Sequence, residues 1–219
     1  MAAAPAIASP VDEWVVLHGV SWETDQSLLT DDVDRPVPRF TYNQGTQEIV
    51  VTLSTVHEEI NRIVNDLIVL VAEELGIEIR SQGSMTFKRE DLRQGFEPDS
   101  CFYFQNEPSV RGKMQIDPQI DPSPDLVIDI AVSGQSLNKL PIYAAFGIPE
   151  VWRVTAGRGV ILALHAGTYH EVPSSRALSP LTAETLSWFL RDSRQRSRLA
   201  WMQAVRAWAK EQAAGRAVP

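Results

Sequence analysis

Cysteine is almost absent from this 219-residue chain: Cys101 stands alone. That excludes an intramolecular disulfide framework and a cysteine-cluster metal site, and it agrees with a reducing, cytoplasmic compartment. Long hydrophobic runs are missing as well. The most apolar window, Ile60 to Leu75, is interrupted by Asn61, Arg62, Asn65, Asp66, Glu73 and Glu74, so no segment reads as a bilayer span. An excess of positive charge is lacking too. The formal net charge is −8, which argues against coating nucleic acid by bulk attraction, because phosphate affinity rests on Lys and Arg contacts. A G-x-S-x-G elbow, a P-loop, a dinucleotide-type glycine pattern and an H-E-x-x-H pair are all absent, and His18, His57, His165 and His170 are scattered.

What is present suffices for a packed core. Hydrophobic residues make up 44% and charged residues 22% of the chain, as in a globular protein of about one domain. The opening run MAAAPAIASP has no basic flank and two prolines, and residues 1–10 read as a disordered leader. Charge is uneven. From Arg191 onward seven basic residues face only Asp192 and Glu211, a local +5 that leaves −13 on the rest. A solvated helix face is the ordinary explanation of such a stretch.

Hydrophobic spacing predicts mixed α/β order without regular βαβ alternation. VVLHGV reads as a strand, and SWETDQSLL as a helix capped by Ser21. VPRFTY and TQEIVVTL form a hairpin around Asn43, Gln44 and Gly45. Ser54 to Leu75 is the clearest helix, with Thr55 and Glu58 as a capping-box pair and Gly76 as its stop. IEIRS and SMTFK are strands around Gly83, and REDLRQGFEP is a polar loop. SCFYFQ and PDLVIDIAV are strands, SLNKLPIYAAFG is a short helix, and EVWRVT, GVILALH and TYHEV form a meander. From Thr182 to about Ala213 the pattern is helical; its tryptophans Trp188, Trp201 and Trp208 predict packing on the core or on a partner.

The segment from Pro124 to Ile130 carries the chemistry. On a strand, Leu126, Ile128 and Ile130 point one way while Asp125, Val127 and Asp129 point the other. Carboxylates among β-branched residues are costly unless paired or bound to metal. Asp125 and Asp129 lie about 13 Å apart along the strand, too far to share one ion. If SCFYFQ runs antiparallel to this strand, Asp99 at its start faces Asp129. Two carboxylates on neighbouring strands suit Mg²⁺, which takes one or two of them plus waters and phosphate oxygens. Lys139, near the start of the next helix, is long enough to reach back to that place and polarise a water or a phosphate.

The pieces GVSWET, FTYNQGTQEI, VHEEINR, GSMTFKRED, EPDSCFYFQ, PDLVIDI and SLNKLPIYAAFGIPEVWRV together resemble the bacterial Uma-type family named Putative restriction endonuclease, within the PD-(D/E)XK nuclease superfamily. The resemblance runs from about Val20 to Phe189. It implies a restriction-endonuclease-like core over residues 11–190 with a basic helical tail over 191–219, and Mg²⁺-dependent cleavage of DNA, with Mn²⁺ as a substitute ion. It places the motif aspartate on Asp99, the acid of the following strand on Asp129, the displaced lysine on Lys139 and a helix-start histidine on His57. Asp125 completes the candidate residues. The chain departs from the family in having Asp129 for the usual glutamate, Ala131 at the superfamily lysine position and Asn138 for a common aspartate. A catalytically degenerate binding or regulatory module is therefore the alternative reading, and a homodimer is a further expectation.

Overall fold

The alternation in PDLVIDI sets the architecture. A computed structural model describes residues 13–31, 38–52, 54–83, 85–131 and 137–216. In it this segment forms β8 (Leu126–Ile130), near the middle of a six-stranded sheet. The order of that sheet is β11 (Thr168–Val172), β10 (Gly159–His165), β9 (Glu150–Val154), β8, β7 (Ser100–Tyr103) and β4 (Arg80–Gln82). Only β8 and β9 run parallel; the other pairs are antiparallel. A second, antiparallel sheet runs β1 (Glu13–His18), β3 (Thr46–Thr52), β2 (Arg39–Asn43), β6 (Gln94–Phe96) and β5 (Phe87–Arg89). The helices are α1 (Trp22–Asp31), α2 (Thr55–Leu75), α3 (Glu107–Val110), α4 (Leu140–Ala145), α5 (Ala183–Asp192) and α6 (Arg198–Arg216).

The period of two divides the core. Phe102, Leu126, Ile128 and Trp152 face Val64, Leu67 and Val71 of α2, together with Leu186 and Phe189 of α5 and Trp201 and Val205 of α6. Cys101, Val127 and Val151 point the other way, against Ile142 and Tyr143 of α4 and Phe87 and Phe96 of the second sheet. Each such side chain, fully buried, contributes about 1.5–3 kcal/mol of hydrophobic stabilisation. The six-stranded sheet is thus covered on both faces. The residue before β7, Asp99, is left beside Arg39 of β2 and His57 at the start of α2.

Several local expectations are corrected. The N-cap of α2 is Ser54, whose hydroxyl accepts from the His57 amide at 3.2 Å. Thr55 is already helical, so the Thr55–Glu58 capping pair is replaced by a cap one residue earlier. Gly76 ends the helix with φ 64°, and Ile77 N–H reaches Ala72 O at 2.8 Å. The strands around Gly83 join different sheets, β4 pairing with β7 and β5 with β6. The predicted loop REDLRQGFEP contains β6, which pairs with both β5 and β2. The C-terminal helical stretch is two helices: α5 ends at Asp192 and α6 begins at Arg198. Residues 1–10, read as a leader, and residues 132–136 between β8 and α4 lie outside the described residues. Among the described residues no helix is long and apolar enough to cross a membrane.

Candidate functional site

The antiparallel pairing of β7 and β8 sets Ser100 opposite Ile128. One step further, Asp99 stands opposite Asp129. Asp99 is held on both oxygens. One accepts from the Ile130 amide at 2.7 Å, and the other meets His57 Nε2 at 3.1 Å and the Arg39 guanidinium. Asn61 Nδ2 donates to its backbone carbonyl at 3.2 Å. Burial works against the ionised carboxyl of Asp99, but His57, Arg39 and Lys139 outweigh that and hold it below the usual aspartate range. Asp99 is therefore an anion at neutral pH.

Asp129 meets Arg153 Nε at 3.2 Å. Arg153 is its register partner on β9, so the ion pair follows from parallel strand pairing. Lys139 stands at the N-cap position of α4, and its ammonium lies 3.3 Å from Glu48 Oε1. Burial works against that ammonium, yet the carboxylates of Asp129, Glu48 and Asp99 more than offset it and raise the Lys139 pKa. Lys139 enters the site as a cation. Tyr143, on the first turns of α4, is fully buried, and burial together with Asp129 and Asp99 drives its hydroxyl far above the ordinary tyrosine range. It can only be a neutral group.

The structure thus groups Asp99, Asp129, Lys139 and His57. Asp125 does not join them. Its carboxylate accepts from the Phe104 amide at 2.7 Å, the Asn106 amide at 2.9 Å and Asn106 Nδ2 at 2.9 Å. Asp125 ties down the chain after β7, apart from the other candidates. Sequence reasoning passed over Glu48, Arg39 and Arg153. Glu48 carried a readable signal: a carboxylate in the strand TQEIVVT, among β-branched neighbours, and fully buried. Arg153 carried none, because only its pairing on β9 brings it to Asp129, and Arg39 carried none, because it reaches Asp99 from a strand of the other sheet.

A cleft of about 370 Å³ opens over Asp99 from the side of α2, lined by Arg39, Arg62 and Arg198 and by Glu58, Asp66 and Asp99 among others. Its charges balance, so it does not act as a single-sign funnel for anions. The basic C-terminal stretch is largely spent inside the molecule. Arg198 pairs with Asp66, Arg206 with Glu73 and Glu74 at 2.9 and 2.8 Å, and Arg196 with Asp192 at 2.8 Å.

The donor chemistry fits a hard dication: the β7–β8 register, continued one step past Ser100 and Ile128, sets Asp99 across from Asp129, and Mg²⁺ needs only one or two carboxylates plus waters. It does not fit a closed protein cage. Among the described residues no three His, Cys, Asp or Glu side chains converge as a ligand group.

A family model described as Putative restriction endonuclease, Uma2, matches residues 22–193. The chain belongs to the Uma2 family. No curated protein matches it. Among solved structures, that of a "putative nuclease belonging to DUF820" from Anabaena variabilis aligns with a TM-score of 0.50 at 13% identity, covering 80% of this chain and 98% of that one. At that identity the likeness shows the fold alone. The mixed α/β, restriction-endonuclease-like fold with a C-terminal helix is established for this Uma2 member. The acid pair, the lysine and the buried histidine all lie on or between segments inside the matched range.

Proposed function

We propose that this Uma2 protein hydrolyses phosphodiester bonds of DNA with Mg²⁺, Mn²⁺ serving as a substitute. One observation carries the reading: Asp99 and Asp129 oppose each other across β7 and β8, with the Lys139 cation acted on by both. Asp99 and Asp129 would hold the ion. When bound, the dication supplies Lewis-acid polarisation of the phosphate and activation of the attacking water. Lys139, charged and tethered at the start of α4, orients a phosphate oxygen and offsets charge gained as the phosphoryl centre is attacked. His57 and Arg39 fix the Asp99 carboxylate, and the Ile130 amide sets its plane. The acidic chain then meets nucleic acid through local, ion-bridged phosphate contacts rather than through a broad basic surface. A cytoplasmic location fits the lone buried Cys101. A homodimer belongs to the same reading, supported by the outer edge of β1, where Val15, Val16 and Leu17 are exposed; sedimentation velocity tests it.

The parent protein is expected to nick supercoiled plasmid in Mg²⁺ or Mn²⁺, and Asp99→Asn and Lys139→Ala to remove that activity. Failure of the parent to nick across both ion series sinks the reading. A second reading, a nuclease fold kept as a binding module, is favoured by one feature: the guanidinium groups of Arg39 and Arg153 already pair with the two carboxylates. Calorimetric titration with Mn²⁺ separates the two. Heat in the parent that is lost in Asp99→Asn supports the enzyme; no heat in either supports the module.

A further inference from the structure

We infer that Glu48 is a positioning residue for Lys139, clamping both the lysine head group and the turn that leads into α4. The inference rests on the nuclease reading for its meaning, though not for its geometry. Glu48 lies on β3 and its side chain is fully buried. One of its carboxylate oxygens accepts from the Leu137 amide at 2.6 Å, and the other stands 3.3 Å from Lys139 Nζ. Leu137 and Lys139 flank Asn138 at the N-terminal approach to α4, 89 residues along the chain from Glu48. A single carboxylate thus fixes the backbone two residues before the lysine and also the end of its side chain.

The arrangement matters because Lys139 sits on a helix of six residues that begins just beyond residues 132–136. The side chain has four rotatable carbons and no bidentate geometry of its own. Left to itself it would sample many rotamers, and holding one of them is what an orienting cation requires. The Glu48 carboxylate supplies that restraint from a rigid element, since β3 is paired on both sides, with β1 and with β2. Glu48 is no third ligand of the acid pair, because both of its oxygens are turned to the α4 approach. Its action on the substrate passes through Lys139.

Two variants and two measurements test this. Glu48→Gln keeps an acceptor for the Leu137 amide and loses the charge; Glu48→Asp keeps the charge and withdraws it by one methylene. In the parent, Lys139 should react with an amine-labelling reagent slowly compared with the exposed Lys210, as read by peptide mass spectrometry. In Glu48→Gln the Lys139 rate should rise at least fivefold, while the rates at Lys88, Lys113 and Lys210 stay within twofold. Plasmid cleavage by Glu48→Gln should fall at least tenfold in kcat with KM changed less than threefold, and Glu48→Asp should retain more activity than Glu48→Gln. Unchanged labelling at Lys139, a rise shared by all lysines, or full kcat in Glu48→Gln overturns the assignment. The labelling result stands apart from catalysis: an inactive parent in which Lys139 alone responds removes the nuclease reading and leaves the clamp.

Discussion

Three aspartates in this protein show how neighbours, not residue type, decide what a carboxylate does. Asp125 has all of its partners within the protein, two of them backbone amides. Removing it leaves buried donors unpaired, which costs about 1–3 kcal/mol for each group so stranded. Asp125→Ala should therefore lower stability by about 2–4 kcal/mol in urea unfolding. Asp129→Ala should cost less than about 1 kcal/mol, since its partner Arg153 is more than a third exposed, and yet abolish cleavage. Equal costs for the two substitutions would mean that their assigned roles are not distinct. Asp99 differs again. Its carboxyl is held below the ordinary range, with His57, Arg39 and Lys139 overcoming burial. A depressed carboxyl contributes stability that is present above its unfolded-state pKa, near 3.9, and is lost as pH falls through the lower folded-state value. The parent should thus lose stability below about pH 4, and Asp99→Asn should show a flatter acid limb in thermal unfolding against pH. Identical acid limbs would show that Asp99 is not held in this way.

At the scale of elements, the sequence was most readable where period and caps agreed. The run of Ile60, Ile63, Val64, Leu67 and Val71 on α2 is buried as its spacing requires, and the alternation along β8 divides the core into its two clusters. The opposition of Asp99 and Asp129 was legible because antiparallel register follows once two strands are recognised. Less was legible where pairing partners, rather than composition, make the element. β6 is only three residues, Gln94, Gly95 and Phe96, with no β-branched side chain. It is a strand because β2 and β5 supply hydrogen bonds on both sides, and Gly95 is demanded by Lys88, whose Cγ would lie 2.8 Å from an added Cβ. Arg153 reached the site through the parallel contact of β8 and β9, a relation that leaves no local mark. Glu48 is the instructive omission. The cost of a carboxylate inside an apolar strand, which drew attention to Asp129, applied with greater force to Glu48.

Over the whole molecule, the C-terminal stretch behaves as part of the core. Trp201, Val205 and Ala209 of α6 are buried in the cluster shared with α2 and α5, and Trp201 Nε1 donates to Phe189 O at 3.0 Å. Three of the seven basic residues that gave this stretch its charge, Arg198, Arg206 and Lys210, are turned to acids on α2. Part of the charge asymmetry is thereby offset within the fold. Two consequences separate a structural α6 from a nucleic-acid-binding one. Trp201→Ala should cost about 3–5 kcal/mol, the usual range for truncating a buried aromatic, and a chain ending after Gln195 should fail to unfold cooperatively because the outer face of α2 has lost its cover. Arg206→Ala, by contrast, should leave both stability and DNA affinity nearly unchanged, because its pairs with Glu73 and Glu74 are partly exposed and such pairs contribute at most about 1 kcal/mol. A marked drop in DNA affinity or in its salt dependence for Arg206→Ala, with stability intact, would return the helix to the binding surface and require the phosphate path to cross α6 as well as the Asp99 cleft.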